Sequence, residues 1–318
     1  MSHRAGALTG LLCDPLYERH DPGLNHSESP ARYVALRQAF AQAGFLDSLV
    51  HIKPRLARDE DLHLVHTRSY VEIVRHDVHR RAAQLSTGDT AIGPHSFDTA
   101  LMAVGGCLAA VDAIYERRVR NAFAAVRPPG HHATATRGMG FCIFNNAAIA
   151  ARYAQQVYGA QRVLIVDFDV HHGNGTQEIF YRDPSVFYFS VHESPLYPGT
   201  GDSSEQGEFA GLGTTMNCPF AAGAGHREVL GAFRKKLLPA ATGFQPDFVV
   251  VSAGFDSRHG DPIGRLELRD SDFGEMTAIL MEIADVSAAG RLLSVLEGGY
   301  NLPGLAAAAT VHLETLRG

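Results

Sequence analysis

Apolar positions along this chain fall into two patterns. Six short runs hold several apolar residues without regular alternation: Ala7 to Cys13, Ala122 to Val126, Val163 to Val166, Val186 to Ser190, Phe248 to Ala253 and Leu292 to Leu296. Runs of that kind predict strands buried on both faces, as in a parallel sheet. Between them, Ala31 to Ala43, Thr67 to Arg81, Ser96 to Arg118, Asn146 to Val157, His226 to Leu238, Asp270 to Ala284 and Leu305 to Leu316 carry helical periodicity. Thr67 and Ser96 read as N-caps, and Gly44 as the stop after the first helix. Strands alternating with helices predict an α/β protein with a parallel sheet covered on both faces. With no linker, charge block or repeat, residues 1–318 read as one domain.

Polar residues begin where five of the strands end. Ala122 to Val126 runs into RPPGHH, Val163 to Val166 into DFDVHH, Val186 to Ser190 into VHE, Phe248 to Ala253 into GFDS, and Leu292 to Leu296 into EGGY. Ligand sites of open parallel sheets lie beyond those carboxyl ends. The chain is organised around Val163 to Thr176 (VLIVDFDVHHGNGT). Strand alternation is expected to point Asp167, Asp169 and His171 the same way. Two buried carboxylates need compensation, most simply a cation, with salt bridging and turn capping as the plainer reading. Asp256 completes a set of three with Asp169 and His171, which leaves one coordination position open, as in catalytic sites. Its oxygen ligands admit zinc, Fe(II), Co(II) or Mn(II).

The tandem His131-His132 after Pro128-Pro129-Gly130 reads as a proton-handling pair, with Asp167 and Asn174 as candidate tautomer-fixing partners. Tyr300, at the end of EGGY, offers a hydroxyl to a developing oxyanion. Gly138 to Phe144 and Leu196 to Pro198 supply aromatic rings for one mouth. The long loop Asp14 to Pro30 suits a functional role. Pro198 to Gly213 is Gly-rich but has no lysine or strand-loop-helix setting, so a phosphate loop is rejected.

Composition narrows the class. With 45% hydrophobic residues, 19% charged residues and a net charge of −6, the chain reads as a soluble globule without general nucleic-acid affinity. Cys13, Cys107, Cys142 and Cys218 form no CxxC pair and read as reduced core residues. No signal-peptide h-region or membrane-length apolar run is apparent, so the expected location is cytoplasmic, away from membranes, with an oligomer left open.

Taken together, RPPGHH, GMGFCIFNN, DFDVHHGNGTQ, AGFD and EGGY resemble the zinc-dependent histone deacetylase superfamily, bacterial histone deacetylase-like amidohydrolases included. Asn174 is similar to class II members. The match runs from the loop near His20 to the terminal helix. The resemblance implies an arginase/deacetylase-like three-layer fold with about eight parallel strands. It implies Zn²⁺ on Asp169, His171 and Asp256, with His132 as general base and then acid. It also implies His131 as the electrostatic partner of His132, with Asp167 and Asn174 behind the pair, and Tyr300 polarising the substrate carbonyl. Gly140 and Phe141 would form one tunnel wall, and Tyr197 stands where relatives usually carry a second Phe. Structural K⁺ is implied around Asp167, Asp169, His171 and Ser190. Ile263 occupies the position where polyamine-specific relatives place an acid. This favours deacylation of acetylated lysine in proteins or peptides over an acetylated polyamine or other small amine. A two-metal ureohydrolase is disfavoured because Gly173 and Ser257-Arg258 stand where it needs carboxylates. A non-catalytic acyl-lysine binding module is the remaining alternative.

Overall fold

The computed structural model describes residues 8–318; Ala7 and the six residues before it lie outside the described residues. In chain order the elements are β1 (Thr9–Leu12), α1 (Pro30–Gln42), β2 (Val50–His51), α2 (Asp59–Leu62), α3 (Arg68–His79), α4 (Ser96–Tyr115), β3 (Asn121–Ala124) and α5 (Asn146–Tyr158). They continue with β4 (Val163–Asp167), α6 (Asn174–Phe180), β5 (Val186–Glu193), β6 (Thr215–Phe220), α7 (His226–Ala232), α8 (Leu238–Phe244), β7 (Phe248–Ala253), α9 (Asp270–Ser287), β8 (Leu292–Leu296) and α10 (Leu302–Arg317).

All eight strands join one parallel sheet in the order β2-β1-β3-β8-β7-β4-β5-β6. Every residue of β4, β7 and β8 is buried, as their apolar runs demand. Helices α4 and α5 pack together on the sheet, while α1, α10 and α9 pack side by side as a second helical layer. Together these form a three-layer α/β arrangement.

Two strands escape the periodicity for a shared reason. β2 has two residues, and β6 (TMNCPF) mixes polar residues with Pro219. Both are edge strands, where a proline and partial exposure are tolerated. Several expected boundaries also shift. Thr67 caps α3 by accepting from the Tyr70 N–H, as its sequence suggests. Ser96, by contrast, lies inside α4, which begins after His95 without a side-chain cap. Its hydroxyl instead accepts from the Gly93 N–H and bonds His20 Nδ1, both at 2.7 Å. The segment read as one helix from His226 to Leu238 contains a π-turn at Phe233–Leu237 and continues as α8. α4 is long and apolar enough to cross a membrane, contrary to the sequence expectation, but 83% of its apolar window is buried inside the protein.

Candidate metal and hydrolytic site

Four adjacent central strands, β3, β8, β7 and β4, deliver the candidate residues at their carboxyl ends. From the fifth expected contributor, β5, His192 and Glu193 do not join them, although Leu196 and Tyr197 just beyond that strand line the same cavity as His132, His171 and Tyr300. β5 lies one strand further out, where His192 bonds Ser190 Oγ and the Gly201 carbonyl, and Glu193 accepts from the Arg265 N–H and Nε.

Strand pleating does not converge the carboxylates, because β4 ends at Asp167. Beyond it, local side-chain bonds shape the turn. The Asp169 N–H donates to Asp167 Oδ1 (3.2 Å) and the His171 N–H to Asp169 Oδ1 (2.9 Å). The Val170 N–H donates to Asp256 Oδ1 (2.8 Å), tying this turn to the end of β7. Asp169, His171 and Asp256 thereby place one potential ligand atom each within 4.8 Å of the others, all buried. Gly298 is required beside them, since a Cβ there would overlap Asp256 Oδ2 and Asp169 Oδ2.

This donor set fits a divalent ion. Asp256 Oδ2 is buried without a hydrogen-bond partner. Burial and the adjacent Asp169 charge push the Asp256 carboxyl up, whereas His131 and His171 hold Asp169 low against its own burial. Two such carboxylates side by side repel each other unless a cation lies between them. His172 is not part of the set; it turns away to Thr200 and Gln177.

The His131 and His132 rings lie with centroids 4.0 Å apart, tilted 44° to one another. His131 Nδ1 lies 3.0 Å from Asp167 Oδ2, and His132 Nδ1 lies 2.8 Å from Asn174 Oδ1. Burial opposes a charge on His131, but Asp167 and Asp169 raise its pKa well above the usual value. Burial, followed by the His131 and His171 charges, lowers His132 well below it. An amide oxygen only accepts, so His132 carries its proton on Nδ1 and leaves Nε2 with a free lone pair.

His132, His171 and Tyr300 line a cavity of about 330 Å³ whose remaining wall is Asp89, Gly140, Phe141, Leu196, Tyr197 and Ile263. Phe141 meets Tyr300 edge to face at 5.9 Å. Asp167 and Ser190, two residues named for potassium, are register partners on β4 and β5, with Asp169 and His171 in the turn beyond.

Several supporting residues carry no local sequence signal. Glu297 Oε2 accepts from the Gly130 and His131 N–H groups (2.7 and 3.1 Å), fixing the tandem-histidine turn. Asp261 Oδ2 accepts from the N–H groups of Tyr300 and Asn301 (2.7 and 3.1 Å). Arg32, from α1, donates to the Gly299 and Glu297 carbonyls (both 2.6 Å) and lies 4.8 Å from the Tyr300 ring centroid. Only the spacing of Glu28, just before α1, four residues from Arg32 offered a clue.

A family model described as the histone deacetylase domain matches residues 26–316. Histone deacetylase 15 of Arabidopsis thaliana is 42% identical over 92% of this chain and 53% of its own length. Polyamine deacetylase HDAC10 of Mus musculus is 40% identical over 92% of this chain and 45% of its own. The chain thus spans about half the length of these two relatives. The crystal structure of the HDA15 HD domain superposes with a TM-score of 0.93 at 39% identity, covering 98% of this chain and 88% of that one.

Proposed function

Because the chain belongs to the histone deacetylase family, we propose that it is a hydrolase of the deacetylase type that removes acetyl or other short acyl groups from lysine side chains of proteins or peptides. The observation that carries this reading is the cavity lined by His132, Tyr300 and His171, the last of which belongs to the buried Asp169-His171-Asp256 set.

Asp169, His171 and Asp256 would hold a divalent ion, taken here as zinc with Fe(II), Co(II) and Mn(II) as competitors, which supplies Lewis acidity and lowers the pKa of water to about 7. The residues of the chain perform the remaining steps. His132 Nε2 takes the proton from water as its oxygen attacks the acyl carbon. The Tyr300 hydroxyl, whose pKa burial raises well above the usual value, stays protonated and donates to the developing oxyanion. His132, now an imidazolium, protonates the leaving amine as the C–N bond breaks, releasing a carboxylate and free lysine. Asn174 holds the His132 tautomer throughout, and Asp167 favours the charged form of His131, whose positive charge resists early protonation of His132.

Ile263 favours a substrate with one amide and no second cation at that wall. Among the described residues the one carboxylate lining that wall is Asp89, already bonded to Tyr197 and Gly140. The polyamine-deacetylase relative motivates the alternative, an acetylated polyamine. A panel of acyl-lysine peptides and acetylpolyamines, assayed for released acid with defined metals, tests both. Release from peptides that a chelator stops and metal restores is expected. Preferential release from polyamines would favour the alternative. Stoichiometric metal uptake without release from any substrate would leave a binding module.

A further inference from the structure

The Tyr197 hydroxyl does not enter the acyl end of the cavity. It donates outward to Asp89 Oδ2 at 3.1 Å, while Asp89 Oδ1 accepts from the Gly140 N–H at 2.8 Å. One carboxylate thus joins two wall segments that approach from distant parts of the chain. The packing between them is close. A Cβ on Gly140 would overlap the rings of His132 and Tyr197, and the Tyr197 ring stands perpendicular to His132 at 5.2 Å.

Little else secures this part of the wall. Residues 196–199 lie between Pro195 and the segment at Thr200, and Pro198 has no N–H to give. Among the described residues, their own main-chain bond is the turn closed by the Gly199 N–H on the Leu196 carbonyl, and their hydrogen bond to another loop is the one from Tyr197. Tyr197 is 37% exposed, so packing alone holds only part of it. A phenylalanine would preserve the ring but lose the tether.

We propose that Tyr197 is a positioning residue whose hydroxyl, anchored on Asp89, fixes the bore of the channel through which a linear acylated side chain reaches His132. This rests on the reading of the cavity as a deacylation site. A fixed wall presents its apolar surface to the methylene chain without first being ordered, so its benefit falls in substrate binding rather than in the bond-breaking step.

The test uses the metal-loaded full chain with Tyr197→Phe, Asp89→Ala and the double variant, read by steady-state kinetics on an acetyl-lysine peptide and by amide hydrogen exchange. Tyr197→Phe should raise KM about fivefold, the scale of one hydrogen bond, with kcat within about twofold. In the Asp89→Ala background the same substitution should change nothing further, because the tether is already cut. Exchange at the amides of Gly140, Leu196, Tyr197 and Gly199 should quicken in either single variant. An unchanged KM in an active Tyr197→Phe enzyme, or an equal effect in both backgrounds, overturns the proposal. Exchange separates its failure from that of the functional reading. If the wild type releases no acid but exchange quickens, the tether stands and the deacylation reading falls; unchanged exchange removes the tether whatever the turnover.

Discussion

Glu28→Ala is a strong test of how this site is supported. Glu28 is fully buried and bridges three cationic or basic side chains. Its Oε1 accepts from Arg127 Nε (2.5 Å) and Arg32 Nη1 (2.9 Å), and its Oε2 accepts from Arg127 Nη2 (2.7 Å) and lies 3.2 Å from His20 Nε2. Removing the carboxylate strands two guanidiniums that are themselves 0% exposed. Breaking one side of a buried ion pair costs about 3–5 kcal/mol. Both arginines keep carbonyl acceptors, at Tyr17 and His20 for Arg127 and at Gly299 and Glu297 for Arg32, which places this loss near the lower end of that range. At about 1.5 °C per kcal/mol for a chain of 318 residues, Tm should fall by about 4–5 °C in calorimetry at pH 7.

The pH dependence has a definite sign. Burial raises the Glu28 pKa, but Arg127 and His20 outweigh it and hold the carboxyl well below its usual 4.5. A depressed folded-state pKa gives stability that is present above about 4.5 and lost as pH falls through the folded value. The gap in stability between wild type and Glu28→Gln should therefore be full at neutral pH and shrink in acid. A Tm within 2 °C of wild type for Glu28→Ala, or a Glu28→Gln gap that does not change with pH, would refute the assignment of this cluster as a charge-based support.

The remaining predictions concern the chemistry. His132→Ala should keep stoichiometric metal yet lose about 10²–10⁴ in kcat, and Tyr300→Phe about 10²–10³, both read by acid release; wild-type turnover in either removes that residue from the mechanism. Asp256→Asn should abolish the rise in Tm that metal brings, while its metal-free Tm stays at or above that of the wild type, since repulsion with Asp169 is relieved. A metal-induced rise equal to wild type would show that Asp256 is not a ligand.

The sequence alone carried the outline of this protein. β4, β7 and β8 are continuous apolar runs because both faces of a central parallel strand are buried, so their positions were plain and their boundaries close. The chemistry-bearing residues were legible because they sit at the ends of those same strands. Other features depended on contacts that no local pattern records. The edge strands β2 and β6 have mixed polarity because they are less enclosed, and Ser96 caps nothing because His20 and Gly93 claim its hydroxyl.

Tertiary structure also decided which strand ends meet. The order β3-β8-β7-β4 brings four together, while His192 and Glu193 at the end of β5 turn to other partners, a matter of sheet neighbours rather than of chain order. The buried supports, Glu28 beneath Arg127, Arg32 behind Tyr300 and Glu297 behind the tandem histidines, come from segments 99 to 267 residues apart. Local sequence records what a residue can donate or accept. Which distant group it meets is set only when the sheet closes and burial leaves each charge no partner but the one beside it.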